Sequence, residues 1–208
     1  MNVAIILAGG SGNRFGKIRP KQFVKVAGKT ILEHSVAVFE AHLAIDEIAV
    51  VIHQSFVSEM EAMVLSNGWK KVKKILIGGK ERYESSLVAI EAYGEYPDSR
   101  LLFHDAVRPL VSRRIIDEVV AALSKYNAVN VAIPTTDTII QVDDSGTFVA
   151  STLNRHALRR VQTPQGFRQA TIATAYKNGL TDDNFSPTDD CGVVLKYLPT
   201  EPIFIVCG

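Results

Sequence analysis

Apolar residues fall along this chain in two alternating rhythms. Val3-Ala4-Ile5-Ile6-Leu7, Glu47-Ile48-Ala49-Val50-Val51-Ile52, Val72 to Ile77, Leu101-Leu102-Phe103 and Val129 to Ile133 are short runs rich in apolar residues. Such runs have the composition of strands buried in a parallel sheet. Between them the spacing lengthens to three and four. Leu32, Val36 and Phe39 share one stripe behind a capping-box sequence, Thr30-Ile31-Leu32-Glu33. Met60, Met63 and Val64 lead to a helix end near Gly68, and Ile115, Ile116, Val119, Val120 and Leu123 form a strongly amphipathic segment. Strands separated by helices require right-handed crossovers, so the pattern predicts an α/β fold: a doubly wound, mainly parallel sheet with helices on both faces. Ligands of such sheets bind beyond the carboxyl ends of the strands. That rule gathers the loops after Leu7, Ile77, Phe103 and Ile133 around one crevice.

After Ile133 the rhythm changes. Thr138-Ile139-Ile140-Gln141-Val142 alternates loosely, Asp143-Asp144-Ser145-Gly146 is a turn sequence, and Thr147 to Thr152 returns. A hairpin over residues 136–153 has little core of its own, and a second copy of the chain is the natural surface to cover it. No linker-like stretch divides the 208 residues, which predicts a single domain. The formal net charge of +1 with 22% charged residues argues against a nucleic-acid footprint. Cys191 and Cys207 have no C-x-x-C spacing and fit a reducing, cytoplasmic setting. The apolar N-terminus lacks a basic flank, and no apolar run approaches the length of a membrane span.

The chemistry concentrates at the ends of the predicted strands. Leu7-Ala8-Gly9-Gly10-Ser11-Gly12-Asn13-Arg14-Phe15-Gly16-Lys17-Ile18-Arg19-Pro20-Lys21-Gln22 holds four cations and no carboxylate. Gly9, Gly10 and Gly12 let the backbone bring its N–H groups close to an anion. Arg14 and Lys21, with Lys17 and Arg19 as further candidates, add fixed positive charge, which points to phosphate. The dinucleotide fingerprint does not fit, because Pro20 and Gly28 interrupt the run into a helix, and no G-K-[ST] completes a P-loop.

Two further clusters follow. Gly78-Gly79-Lys80-Glu81-Arg82-Tyr83-Glu84-Ser85-Ser86 ends a strand and opens a helix, whose free N–H groups suit a phosphate or a polar base edge, or simply a solvated cap. His104-Asp105-Ala106-Val107-Arg108-Pro109 follows the fourth strand. Asp105 and Arg108 could pair with each other. In a phosphate-rich crevice, however, a carboxylate suits Mg²⁺, which takes one or two carboxylates plus phosphate oxygens. His104 reads as a packing or capping residue, and the remaining histidines show no ligand spacing.

L-A-G-G-x-G-x-R followed by P-K-Q resembles the signature of sugar-phosphate nucleotidyltransferases, in the spelling of the cytidylyltransferase branch. That branch includes methylerythritol-phosphate and ribitol-phosphate enzymes. The resemblance extends to Cys191 and implies a Rossmann-like nucleotidyltransferase fold with an inserted β-hairpin arm. It implies catalytic roles for Arg14 and Lys21. It places Leu7, Ala8, Gly9, Gly10, Gly12, Gly79, Arg82, Ser85, Asp105 and Ala106 on the nucleotide, with Ser85 helping to read cytosine in CTP. It assigns Arg108, Thr138, Arg155, Thr163 and Thr188 to a phosphorylated acceptor, and Asp105 to the metal. It also implies a homodimer joined through the hairpin. The spellings H-D-A-V-R-P, T-P-Q-G-F-R and T-D-D-C-G lean toward the ribitol-phosphate enzymes, so the expected reaction is transfer of CMP from CTP to ribitol 5-phosphate. Methylerythritol phosphate is the alternative acceptor, and a nucleotide-binding module without turnover is the alternative of another class. The family continues beyond the strand Ile203 to Val206 with an N-x-K-x-T segment whose lysine touches the nucleotide phosphates. A tail of that kind, and in some members a reductase domain, is therefore expected after Gly208.

Overall fold

The computed structural model describes residues 1–10 and 19–208. In chain order its elements are β1 (Asn2–Ala8), the short strands β2 (Lys25–Val26) and β3 (Lys29–Thr30), α1 (Ile31–Glu40), β4 (Glu47–Ile52), α2 (Val57–Asn67), β5 (Val72–Ile77), α3 (Arg82–Ala92), β6 (Arg100–Asp105), α4 (Arg113–Ala122), β7 (Ala128–Pro134), β8 (Ile140–Val142), β9 (Val149–Thr152), β10 (Arg159–Val161), β11 (Gln165–Arg168), α5 (Gln169–Gly179), α6 (Asp190–Tyr197) and β12 (Ile203–Cys207). The main sheet runs β10-β7-β11-β6-β1-β4-β5, with β12 added to β7. Pairings among β1, β4, β5 and β6 are parallel, as is β12 on β7.

Alternation along the strands sends side chains to two cores. Ala4, Ile6 and Ala8 of β1 face Leu32, Val36 and Phe39 of α1, Met60 and Met63 of α2, and Ile116 and Val119 of α4. Val3 and Ile5 face the other way, toward Ala89 and Ile90 of α3, Ile172 and Tyr176 of α5, and Val193 and Val194 of α6. Helices thus cover both faces, as the strand–helix alternation predicts. The local signals hold as well. Thr30 Oγ1 accepts from the Glu33 N–H at 3.1 Å while Glu33 Oε2 accepts from the Thr30 N–H at 2.7 Å, a complete capping box. Gly68 closes α2 at φ 64°, a conformation that costs a residue with a Cβ.

Two features depart from the sequence pattern. Gln165–Arg168, read above only as part of a substrate motif, is a strand running antiparallel between β6 and β7, and β10 is also antiparallel to β7. Their short runs carry no alternation strong enough to announce a strand. The reason β11 fits is Gly166. A Cβ there would stand 2.8 Å from Val119 Cγ1 and 2.9 Å from Leu123 Cδ1, so any larger residue would push these side chains away from the strand. The hairpin β8–β9 forms a separate two-stranded sheet, turned by Gly146 at φ 69°. Ile139, Ile140, Val142, Phe148, Val149 and Leu153 all remain exposed on it.

Gly166→Ala is expected to destabilise the fold by about 1–3 kcal/mol through overpacking against α4. A urea titration checks this, and a midpoint equal to wild type would show that α4 has room to yield.

Candidate functional site

The register of the central strands levels their ends. Leu7 of β1 pairs with Asp105 of β6, and Ala8 with Ile52 of β4. Beyond the strands, the Ala106 N–H donates to the Leu7 carbonyl at 3.0 Å and the Gly78 N–H to the Ile52 carbonyl at 2.9 Å. The first residues after β1, β5 and β6 therefore border one cavity of about 240 Å³, lined by Leu7, Ala8, Gly9, Gly10, Gln22, Gly79, Lys80, Glu81, Arg82, Ser85, Asp105, Ala106 and Val107. The loop after β7, expected to join them, does not line it. The strand continues to Pro134 and the chain then leaves into the hairpin.

Close backbone approach builds the cavity floor. Ser85 Oγ would lie 3.1 Å from a Cβ at Gly9 and 2.7 Å from one at Gly78, so two glycines pack the ends of β1 and β5 around one hydroxyl. Ser85 is the fourth residue of α3, whose start is closed by a capping box in which Glu84 Oε2 accepts from the Glu81 N–H at 2.9 Å and the Glu81 carboxylate accepts from the Glu84 N–H, with the positive end of the helix dipole at the cavity. Gln22 was not singled out in the sequence, yet it is buried and its Nε2 donates to the carbonyls of Ala8 at 2.6 Å and Gly10 at 3.0 Å. One side chain thereby ties the chain returning from the glycine loop to the end of β1. Lys21 begins the 3-10 turn that holds Gln22. Gly12, Arg14 and Lys17 lie outside the described residues. Arg19, a candidate phosphate ligand in the sequence, instead pairs with Glu59 of α2 and lies 5.3 Å over the Phe23 ring. Its charge serves the packing of this turn on α2.

The polar wall carries four alternating charges. Arg108 Nε donates to Asp105 Oδ2 at 2.8 Å, so the pairing weighed from the sequence exists. Arg82 Nε stands 3.9 Å from Asp105 Oδ1, while Arg82 Nη2 stands 2.8 Å from Asp190 Oδ2. That second contact lies off the hydrogen-bonding line, so Oδ2 has a charge partner without a well-aligned hydrogen bond. Asp190 is fully buried. Its Oδ1 accepts from the Tyr176 hydroxyl at 2.6 Å, and its N–H donates to Gln165 Oε1 at 3.2 Å. Burial would weaken the charge on Arg82, but Asp190, followed by Asp105, outweighs it and raises the guanidinium pKa. Burial, then Asp190, raises the Tyr176 hydroxyl. Asp190 and Gln165 belong to motifs quoted above, but nothing in their spacing marked them as a buried support.

A second cavity of about 250 Å³ adjoins the first at Val107 and includes His104, Arg108 and Thr163. His104 Nε2 lies 3.0 Å from the Arg108 carbonyl, which can only accept, so Nε2 carries the proton and Nδ1 accepts from the Thr163 hydroxyl at 2.9 Å. Burial drives the His104 pKa down from 6.5 to about 4, so near neutral pH the ring is an uncharged spacer, as its packing role in the sequence suggests. Thr163 and Arg108 thus reach the same cavity. Thr138, Arg155 and Thr188 are exposed and line neither cavity.

Among the described residues no three His, Cys, Asp or Glu side chains are grouped to hold a metal unaided. Mg²⁺ asks for only one or two carboxylates and completes its shell with phosphate oxygens and water, so the chemistry of a single carboxylate suits it, although Arg108 already holds one oxygen of Asp105. Asp105 supplies such a carboxylate at the mouth of the cavity. No helix among these residues is long and apolar enough to cross a membrane.

The chain is similar to known proteins over almost its whole length. Residues 2–206 match the family model described as IspD, 2-C-methyl-D-erythritol 4-phosphate cytidylyltransferase. A Thermobifida fusca protein of that name is 48% identical over 99% of this chain and 84% of its own length. The bifunctional ribulose 5-phosphate reductase/CDP-ribitol pyrophosphorylase Bcs1 of Haemophilus influenzae is 45% identical over 100% of this chain, which spans 44% of that longer protein. The crystal structure of 4-diphosphocytidyl-2C-methyl-D-erythritol synthase from Anaerococcus prevotii superposes with a TM-score of 0.86 at 29% identity, covering 100% of this chain and 86% of that one.

His104 makes stability depend on pH. Its folded pKa of about 4 lies below the ordinary 6.5, so the unfolded chain takes up the proton first, and its contribution is fully present above pH 6.5 and lost as pH falls toward 4. The loss is on the order of 3 kcal/mol. Unfolding free energies measured between pH 7.5 and pH 4.5 should fall more steeply in wild type than in His104→Gln; identical slopes would contradict the assignment.

Proposed function

The chain belongs to the IspD family of 2-C-methyl-D-erythritol 4-phosphate cytidylyltransferases, and from that membership we propose that it transfers CMP from CTP to 2-C-methyl-D-erythritol 4-phosphate, releasing pyrophosphate. The observation that carries the nucleotide half of this reading is the cavity where Gly9, Gly10, the first turn of α3 and Asp105 meet. The acceptor half is supported by the family model and by the Thermobifida fusca relative, both of which bear that name over almost the whole chain. Ribitol 5-phosphate, toward which the motif spellings lean, is the competing acceptor. The Haemophilus influenzae relative supports it, also across the whole chain and at slightly lower identity.

The reaction asks little covalent chemistry of the protein. An acceptor phosphate oxygen attacks the α-phosphorus of CTP in line and pyrophosphate leaves, so catalysis is positioning and charge stabilisation. Backbone N–H groups of the glycine loop receive phosphate oxygens, and the first turn of α3 with Ser85 faces the base. Lys21, with Arg14 of the same motif, bears on the α-phosphate and the charge that develops there. Asp105 would hold Mg²⁺, which when bound offsets phosphate charge. The acceptor phosphate is already ionised near neutral pH, so no general base is required, and His104, buried and engaged at both nitrogens, is not placed as one. Arg108 and Thr163 at the adjoining cavity, with Thr138, Arg155 and Thr188, are the acceptor-binding candidates.

The exposure of Thr138 and Arg155 has a simple resolution in a homodimer. Phe148 and Val149 on the hairpin are 70% and 63% exposed, and a two-stranded ribbon with such a surface is marginal in water. Covering it with a two-fold mate would carry Arg155 toward the partner's acceptor cavity.

Pyrophosphate release measured with CTP, Mg²⁺ and each acceptor in turn is expected to give kcat/KM for 2-C-methyl-D-erythritol 4-phosphate on the order of 10²-fold above that for ribitol 5-phosphate. The reverse order would transfer the assignment to ribitol 5-phosphate, and no turnover with either would reduce the protein to a nucleotide-binding module.

Lys21→Ala is expected to lose on the order of 10²-fold in kcat, and Arg155→Ala to raise KM for the acceptor while leaving CTP binding unchanged. If the hairpin completes the partner's site, mixing the two variants at an acceptor concentration far below the raised KM restores activity through the one site free of both lesions. Exchange of subunits, shown by mass, without recovered activity would contradict the shared site.

A further inference from the structure

The T-D-D-C-G motif contributes no ligand to the cavity, yet its second aspartate is the most completely buried charge beside it. Asp190 is 0% exposed and sits at the start of α6, behind Arg82 as seen from the nucleotide cavity. Three groups converge on it. The Tyr176 hydroxyl donates to Oδ1 at 2.6 Å, Gln165 Oε1 accepts from the Asp190 and Cys191 N–H groups at 3.2 and 3.3 Å, and Arg82 Nη2 stands 2.8 Å from Oδ2. Gln165 is itself held, its Nε2 donating to Asp189 Oδ2 at 2.6 Å. The carboxylate is thus held from the α5 side by Tyr176 while Gln165 of β11 fixes the backbone that carries it, and among the described residues Arg82 is the charge that its remaining oxygen faces. That charge is on a residue lining the nucleotide cavity.

The alternative partner of Arg82 is Asp105, whose Oδ1 lies 3.9 Å from Nε. Without a buried carboxylate behind it, the guanidinium would close that gap, since an unpaired charge in a partly desolvated site moves to the nearest opposite charge. Asp105 would then be neutralised from both sides, by Arg82 and by Arg108, and the cavity would lose the cation that Arg82 brings to its lining. We propose that Asp190, held by Tyr176 and Gln165, is a positioning residue that draws Arg82 back from Asp105 and holds its guanidinium where an anionic nucleotide can take it. Asp190 touches no substrate in this arrangement and acts through Arg82. The inference rests on the nucleotide reading of the cavity.

The test uses the full chain and CTP as the probe, with affinity read by titration calorimetry and folding by thermal melting. Asp190→Asn removes the charge and keeps the shape, and Tyr176→Phe removes only the hydroxyl that orients the carboxylate, so one variant remains informative if the other folds poorly. Both are expected to weaken CTP binding, Asp190→Asn by about ten- to a hundredfold, the range for loss of a charged contact, and Tyr176→Phe by less. In Arg82→Met the same Asp190→Asn change should cost CTP affinity nothing further, because the effect passes through Arg82. Additive losses in the double variant, or wild-type CTP affinity in a folded Asp190→Asn protein, would overturn the proposal. A wild-type protein that binds no CTP would instead remove the nucleotide reading beneath it.

Discussion

Parallel pairing of β1 with β4 on one side and β6 on the other is the constraint from which the rest of this molecule follows. Every residue from Val3 to Ile6 is fully buried, so β1 cannot slip by one position without sending its apolar side chains to the wrong core. The register sets Leu7 beside Asp105 and Ala8 beside Ile52. Three chain segments must therefore emerge at one level. What they carry is then a matter of local chemistry: glycines where backbones meet, the capped start of α3, and one carboxylate with arginines on two sides.

The site is supported from behind more than from within. Gln22 ties the two arms of the glycine loop by bonding carbonyls on β1 and just past it. Ser85 occupies the space that Gly9 and Gly78 leave. His104 links the Arg108 carbonyl to Thr163, and so joins the end of β6 to the cis Thr163–Pro164 junction that leads into β11. Each of these groups is buried and hydrogen-bonded, which makes the rim rigid in a low-dielectric setting. A phosphoryl-type transfer, in which the protein supplies geometry and charge and no nucleophile, depends on that kind of rigidity.

Much of this was legible in the sequence, and the exceptions have physical reasons. The central strands, the Thr30–Glu33 box and the Gly68 stop are local signals, decided within a few residues, and they appear where the pattern puts them. The cavity residues from Leu7 to Gly10, with Gly79, Arg82, Ser85, Asp105 and Ala106, come together because the sheet brings loop ends together. β11 was hidden because an antiparallel strand of four residues, kept thin at Gly166 by the overlying helix, has no period of its own. Arg19 looked like a phosphate ligand because its partner Glu59 lies on a distant helix. Asp190 and Tyr176 meet only once α5 and α6 pack. The acceptor could not be read from the spelling of H-D-A-V-R-P, since Val107 lies exposed at the rim of both cavities and makes no hydrogen bond that would distinguish one alditol phosphate from another.

The central claim is that the ends of β1, β5 and β6 form one nucleotide site. Hydrogen–deuterium exchange followed by mass spectrometry, with and without CTP, tests it directly. Peptides covering residues 7–10, 78–86 and 104–108 should gain protection together, at the same CTP concentration, while peptides of α2 and of β12 stay unchanged. Protection that appears at only one of the three strand ends, or that is strongest along β12, would contradict the account.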